Sequence, residues 1–100
     1  MFLERITWVQ AKEYFEKNDT VIIPVGSTEN HGSQLSLGTD FLIPRNLCEL
    51  MEPKLSCLVA PTVPYGVADQ HTNFPGTITI RADGLYDLLN RITDQLYGFG

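Results

Sequence analysis

The sequence predicts an α/β fold in which a mostly parallel sheet lies between two layers of helices. Two short apolar runs, at residues 21–25 and 56–60, have the composition of buried strands. Segments with helical hydrophobic spacing precede, separate and follow these runs. Strands that alternate with helices along a chain form parallel α/β units, which gives the fold class.

The first predicted helix covers residues 7–18, ahead of the first strand. Thr7 and Gln10 have the spacing of a capping box, which pairs side chains with backbone N–H groups at a helix start. The residues expected to face the core share helical spacing and are Trp8, Ala11 and Phe15. Pro24 cannot donate to a sheet ladder, so we expect it where the first strand leaves the sheet.

The second predicted helix begins at residue 40 or 41 and ends at 51, before Pro53. Pro44 is expected in its first turn, where the missing N–H has no intrahelical partner to lose. The apolar side of this helix is expected to face inward and contains Phe41, Ile43, Leu47, Leu50 and Met51.

After the second strand, a long loop rich in proline and glycine reaches Gly76. Residues 77–80 then alternate polar and apolar side chains, which predicts a third strand with one wet face. The last helix is expected to open at Ala82 or Asp83 and to be terminated by Gly98. Its inward residues recur at helical spacing and are Leu85, Leu88, Leu89, Ile92 and Leu96.

Length, charge and composition limit the classes of function. Residues 1–100 suffice for a single α/β domain, and 43% hydrophobic against 19% charged residues indicates a folded chain. A net charge of −5 disfavours nucleic acid and anionic membranes as partners. No run is long enough to span a bilayer and no signal-peptide pattern is present, so we expect a cytoplasmic protein. In that compartment Cys48 and Cys57 are expected as reduced, packed thiols.

The loop after the first strand collects side chains that bind metals. Glu29 and His31 are two positions apart, and such residues point to the same side of an extended segment. Asp40 follows across a loop that contains Gly32 and Gly38. Two carboxylates and an imidazole suit Zn, Mn or Fe, and a carboxylate can bridge two ions, which is an arrangement that serves hydrolysis. The same spacing also fits an exposed loop in which Asp40 is the N-cap of the second helix.

Two longer segments resemble a known family. The first reads Val-Gly-Ser-Thr-Glu-Asn-His-Gly and then Leu-Ser-Leu-Gly-Thr-Asp, within residues 25–40. The second reads Ala-Pro-Thr-Val-Pro-Tyr-Gly-Val over residues 60–67, then His-x-x-Phe-Pro-Gly-Thr-Ile over 71–78. In this order and at this separation, both segments resemble the creatininase family of amidohydrolases, and the resemblance extends from the first strand to residue 100.

The resemblance implies a hydrolase that cleaves a cyclic amide or related C–N bond with a metal-activated water. By resemblance, Glu29 matches a ligand of one ion, His31 a ligand of the other, and Asp40 the carboxylate that bridges them. The family pattern further implies two ions of Zn or Mn, sometimes Fe, a small-molecule amide substrate and a homo-oligomer, a hexamer in the family. His71 lies in a loop that the family places near the metal pocket. We therefore expect His71 to contact the substrate, with a solvated loop histidine or a hydrogen-bonded structural one as the alternatives.

The chain departs from the family pattern at positions that concern the substrate. Ser33, Gln34 and Ser36 replace residues that are usual in the family, and Asn30 stands where Gln is usual. The family takes a further His and Glu ligand, and its acid–base groups, from later segments, so no catalytic acid or base is assigned here. We expect the N-terminal portion of a longer creatininase-like domain, incomplete at its C-terminus, which by itself binds metal weakly. The alternative is a truncated, non-catalytic fragment that acts as a folding, oligomerisation or binding module.

Overall fold

The computed structural model describes all residues, 1–100, and confirms the α/β class. Its elements are α1 (Trp8–Phe15), β1 (Val21–Ile22), α2 (Thr39–Met51), β2 (Leu58–Val59) and α3 (Arg81–Gly98), with 3₁₀ turns at Leu3–Arg5, Glu52–Lys54 and Asp69–His71. The predicted capping box is present at the start of α1. Gln10 donates its backbone N–H to the Thr7 hydroxyl, and Thr7 donates its own to Gln10 Oε1 at 2.9 Å. None of the helices is both long and apolar enough to cross a bilayer.

The sheet is parallel, and β2 lies between β1 and the N-terminal residues. The paired residues of the two strands are Val21 with Leu58 and Ile22 with Val59. Phe2 pairs with Val59 from the other side. The regular ladder of β1 ends before Pro24, which has no N–H to donate. Pairing resumes beyond this point, where Val63 donates its N–H to the Pro24 carbonyl at 2.9 Å.

Side chains of the sheet alternate between two helical layers. On one face, Val59 and Ile22 pack with Phe2 and with Cys48 of α2 in a single hydrophobic cluster. On the other face, Ala60 and its neighbours border a cavity of about 340 Å³ whose far wall is α3. The α3 residues that line it are Leu88, Ile92 and Leu96, all three of them predicted to face inward. The helices α2 and α3 therefore cover opposite faces of the sheet, as the predicted three layers require.

Tyr14 joins α1 to both strands. Its side chain is only 7% exposed, and its hydroxyl donates to the Thr20 carbonyl and accepts the Leu58 N–H at 3.0 Å. The hydroxyl thereby bridges the strands just ahead of their backbone ladder. The prediction that Trp8 faces the core is wrong, because α1 turns Tyr14 toward the sheet and leaves Trp8 76% exposed beside an open groove. Phe15 is partly buried, as expected.

The predicted inward face of α2 is wrong for most of its residues. Its exposed apolar residues are Leu42, Ile43, Leu47, Leu50 and Met51, of which Leu50 is 75% exposed. The face that packs on the sheet instead carries Cys48, which is buried. Both cysteines are free, as predicted, and burial raises the pKa of the Cys48 thiol. Pro44 lies inside α2, beyond the first turn where it was expected.

Residues 77–80 form isolated bridges instead of the predicted third strand. The hydroxyls of Thr77 and Thr79 accept backbone N–H groups, from Asn30 and Ala68 respectively, each at 3.0 Å. The polar face of this segment is therefore used internally, whereas Ile78 is 47% exposed.

The end of α3 also differs from the prediction. Gly98 is its last residue and Phe99, in the right-handed helical conformation, is the C-cap. Gly98 therefore does not occupy the position of a terminating glycine.

Tyr14 offers a test of this arrangement. Replacement by Phe keeps the ring but leaves the Leu58 N–H and the Thr20 carbonyl without their shared partner. We expect Tyr14→Phe to lower the free energy of unfolding by about 1–3 kcal/mol, measured by urea denaturation. The control is Tyr97→Phe, since the Tyr97 side chain is 89% exposed. An equal stability of Tyr14→Phe and Tyr97→Phe would contradict the bridging role.

Candidate metal centre

The loop that leaves β1 is closed by its own backbone and pinned to residues 77–78. Glu29 donates its N–H to the Leu37 carbonyl at 3.0 Å. Asn30 donates its N–H to the Thr77 hydroxyl at 3.0 Å, and the Ile78 N–H is bonded to the Thr28 carbonyl. Sequence reasoning missed these supports. A hydrogen bond to a backbone carbonyl leaves no pattern of residue types in the sequence. The alternation of polar and apolar residues at 77–80 indicated a strand instead.

The structure brings Glu29, His31 and Asp40 together. One possible ligand atom from each residue lies within 4.8 Å of those of the other two. His31 Nε2 is 3.4 Å from Asp40 Oδ1. The Glu29 side chain is the most enclosed at 14% exposure, against 29% for His31 and 35% for Asp40. The cluster thus lies at the surface of a fold whose loops hold it from beneath, where a small molecule can reach it.

Asp40 does not cap α2. The N-cap is Gly38, whose carbonyl accepts the N–H groups of Phe41 and Leu42, and no side chain caps this helix end. Asp40 lies within the first turn, and its carboxylate is turned toward His31 and Glu29. A carboxylate in the first turn of a helix is favoured by the helix dipole, which offsets part of the repulsion from the neighbouring acid.

The carboxyl group of Glu29 is perturbed by its neighbours. A hydrogen bond shared with Asp40 raises the pKa of Glu29, and partial burial and the charge of Asp40 add to the same effect. The two histidines lower it, but by less. A raised pKa here means that two negative charges are unfavourable at this distance without a cation between or beside them. Such perturbed groups are concentrated at functional sites.

The donor set fits a divalent metal. Two carboxylates and an imidazole match the ligand preferences of Zn, Mn and Fe. The Nδ1 atom of His31 is buried without a hydrogen-bond partner, although nearly all such atoms in proteins have one. A cation would also relieve the repulsion between Glu29 and Asp40. These three residues therefore have the chemistry of a metal site, and the repulsion between their carboxylates favours a cation there.

His71 lies beside this cluster but outside it. Its Nε2 atom is 3.8 Å from Glu29 Oε2, and its ring is tilted against that of Phe74 with the centroids 6.2 Å apart. The side chain is about one-third exposed. The structure therefore places His71 at the rim of the site, and its role as a substrate contact stays a prediction.

An α/β fold with carboxylates and an imidazole gathered beyond the end of a strand is typical of metal-dependent enzymes. The sequence profile of the Creatininase family, described as creatinine amidohydrolase, matches residues 4–100. The chain therefore belongs to the creatininase family, and the resemblance seen in the two sequence segments is confirmed.

Several curated hydrolases are similar to this chain. A 3-dehydro-scyllo-inosose hydrolase of Thermotoga maritima is 33% identical over 101 residues, which cover 100% of this chain and 32% of that protein. A creatinine amidohydrolase of Pseudomonas putida is 27% identical over 106 residues, covering 100% and 41% respectively. A mycofactocin precursor peptide peptidase of Mycobacterium ulcerans is 40% identical over 79 residues, covering 70% and 32%. The chain thus spans roughly a third to two-fifths of the length of these relatives.

Solved structures agree with this assignment of the fold. A crystal structure of creatinine amidohydrolase (creatininase) matches with a TM-score of 0.90 and 28% identity, covering 99% of this chain and 40% of that one. Structures of a Mn creatininase and of a variant creatininase of Zn–Zn type also match with TM-scores of 0.90, each at 27% identity and with 41% of that chain covered. Relatives of this fold thus bind divalent metals.

The raised pKa of Glu29 predicts a pH-dependent stability of the metal-free chain. Above its ordinary pKa of 4.5, an unfolded Glu29 loses its proton more readily than the folded one, so ionisation destabilises the fold as pH rises through the folded pKa. Glu29→Gln removes that charge. In EDTA, we expect Glu29→Gln to be more stable than the wild type at pH 7 and the difference to shrink as pH falls through the raised pKa of Glu29 toward 4.5.

Thermal unfolding across this pH range measures the difference. The matched control is Glu13→Gln, which makes the same change at an exposed position of α1 and is expected to alter stability by no more than about 0.5 kcal/mol. A Glu29→Gln chain that is less stable than the wild type at pH 7 would show that Glu29 and Asp40 do not repel each other.

Proposed function

We propose that this chain supplies Glu29, His31 and Asp40 to the metal centre of an amidohydrolase that cleaves a cyclic amide or a related C–N bond. The observation that carries the proposal is the convergence of their ligand atoms within 4.8 Å, at the end of β1. Family membership supports the reaction class, because the similar proteins above are named as hydrolases. The Mn and Zn–Zn creatininase structures support a divalent cofactor.

The three residues are held by two different supports. Glu29 and His31 are held by the loop pinned to residues 77–78, whereas Asp40 is held by the first turn of α2. We assign Asp40 the bridging role, because it lies between a second carboxylate and an imidazole and can share its two oxygens. When bound, divalent ions would polarise the amide carbonyl and acidify a water molecule.

We place the substrate at the open side of the cluster. His71 stands at its rim, with Nε2 3.8 Å from Glu29 Oε2, where the imidazole can hydrogen-bond a substrate. A cavity of about 440 Å³ adjoins the same loop and includes Asn30, Ser33 and the ring of Phe74. This volume lies within the range that small-molecule ligands occupy. We propose a small amide as the substrate on the basis of family membership, and a cytoplasmic enzyme.

Two ions require more protein ligands than these three residues provide. We therefore propose that further ligands, and the acid–base groups, come from chain beyond residue 100, as the relatives' greater length allows. Zn, Mn and Fe all suit carboxylate and imidazole ligands, so the donor set leaves the ion open. On this basis the 100-residue chain binds metal weakly and turns over little substrate.

Replacement of a ligand tests the centre directly. We expect Asp40→Asn to weaken Zn²⁺ or Mn²⁺ binding by about 10-fold or more, because it removes the charge of a direct ligand. Loss of a residue that only supports a ligand already weakens metal affinity by about 10–100-fold. Titration calorimetry measures this, with elemental analysis of the purified chain as a check on bound metal. The control is Asp94→Asn, an exposed position on α3. Equal metal affinity of Asp40→Asn and Asp94→Asn would refute the site.

A second role, self-association, is supported by a specific surface. The exposed apolar residues of α2 form a stripe at helical spacing, defined by Ile43, Leu47 and Leu50. Exposed apolar patches on folded chains commonly mark interfaces. We propose that this stripe takes part in forming a homo-oligomer, either in the catalytic protein or in a non-catalytic fragment that only binds or oligomerises.

Analytical ultracentrifugation tests the stripe. We expect the wild-type chain to self-associate and Leu50→Lys to shift it toward the monomer, since a buried lysine would leave its charge unpaired at the interface. Tyr97→Lys makes a comparable change on α3, outside the stripe, and is expected to leave the association unchanged. A monomeric wild type, or equal effects of the two substitutions, would contradict the proposal.

A further inference from the structure

Gly26 lies where three segments of the chain meet beneath the proposed metal cluster. It follows β1 in the chain and precedes Glu29 by three residues. Its N–H donates to the Val63 carbonyl at 2.9 Å, which ties it to the segment after β2. On its other side, the residue faces the backbone of α2 at the point where Asp40 is attached. The residue thus touches both supports of the cluster.

The space around Gly26 excludes even a methyl group. A Cβ atom at this position would lie 2.6 Å from the Cβ of Phe41, and closer still to the Asp40 carbonyl oxygen and the Phe41 Cα. Two of these three atoms belong to the backbone, so no side-chain rotation can relieve the overlap. A residue larger than glycine must therefore move the first turn of α2 away from the end of β1.

Pro44 leaves the Asp40 carbonyl without its usual helical hydrogen-bond donor. In a regular helix, the N–H of the residue four positions later donates to this carbonyl, but proline has no N–H. The Asp40 carbonyl is thus free of the usual helical bond and lies against Gly26. The backbone that carries the Asp40 carboxylate is therefore placed by contact with Gly26.

A second glycine closes the other side. A Cβ atom at Gly66 would lie 2.6 Å from the carbonyl oxygen of Gly26. The Gly66 carbonyl in turn accepts the Ile80 N–H at 3.0 Å. Backbone atoms therefore lie close to Gly26 on two sides, from α2 and from Gly66.

We propose that Gly26 is a positioning residue of the cluster, which sets the separation of Asp40 from Glu29 and His31 by direct backbone contact between the end of β1 and the first turn of α2. The inference rests on the proposed function only where it predicts that a change at Gly26 weakens metal binding. Its geometric content, the placement of Asp40 beside His31, holds in the metal-free chain.

The test compares Gly26→Ala with two controls. Gly98→Ala adds the same methyl group in α3, where no atom lies within 4 Å of it. Val59→Ala truncates a side chain that is 1% exposed, so it lowers stability without adding any contact at the site. Co²⁺ affinity and its d–d absorption spectrum report on the ligand geometry. The imidazole ¹⁵N resonance of His31, assigned with His71→Gln, reports on its contact with Asp40 in EDTA.

We expect Gly26→Ala to weaken Co²⁺ binding by about 10-fold or more, to alter the d–d spectrum and to shift the His31 resonance. Both controls should leave all three readouts as in the wild type, Val59→Ala despite its lower stability. A folded Gly26→Ala chain with wild-type Co²⁺ affinity and an unshifted His31 resonance would overturn the proposal. If Gly26→Ala does not fold, Gly66→Ala, which presses on the Gly26 carbonyl from the opposite side, decides by the same criteria.

The two proposals fail separately. A wild-type chain that takes up no Co²⁺, or an Asp40→Asn chain that takes up as much as the wild type, refutes the metal centre. In that event the His31 resonance of the metal-free chains still decides whether Gly26 places Asp40. Equal shifts in Gly26→Ala and Val59→Ala would show that general loosening of the fold, and not the local contact, moves the cluster.

Discussion

The first turn of α2 rests directly on the backbone at the end of β1, and the rest of the site depends on that contact. Glu29 and His31 reach the site from the loop that follows β1, whereas Asp40 reaches it from the first turn of α2. The loop and the helix can bring these residues together only if α2 approaches the backbone after β1 without an intervening side chain. Gly26 permits this approach. Protein interiors are close-packed and transmit strain, so this contact limits where the first turn of α2 can lie relative to the loop that carries Glu29 and His31.

This close approach has an electrostatic consequence. It brings the carboxyl groups of Glu29 and Asp40 within hydrogen-bond reach, which raises the pKa of Glu29. In a fold selected for stability alone, two acids so placed would be a defect. In a site that receives a divalent cation, the same repulsion is replaced by attraction to the ion when it binds. The unpartnered Nδ1 atom of His31 belongs to the same pattern of local strain tolerated at a functional site.

The chain spans only part of its longer relatives, and its surface carries exposed apolar side chains. The chain matches only 32–41% of the length of the similar hydrolases, while covering nearly the whole of itself in each structural match. Only 11 of its 100 residues are buried, and apolar side chains on α1 and α2 such as Trp8 and Leu50 are open to solvent. Small chains bury a smaller fraction of their surface, and these faces leave apolar area of the kind that commonly marks an interface.

The sequence by itself determined the class of the fold, the capping box of α1, the two parallel strands and the three residues that converge. These are local or periodic features: Thr7 and Gln10 interact within one turn, and Glu29 and His31, two positions apart, bring their ligand atoms within 4.8 Å of each other. Only the tertiary structure decided which face of α2 is buried, since that helix is apolar on two sides and its docking is set at Gly26. It also decided that Tyr14 and not Trp8 reaches the sheet, and that Thr77 and Thr79 bind backbone instead of water. Periodicity shows which residues share a face, but the neighbour of that face is fixed by contacts between residues far apart in the chain.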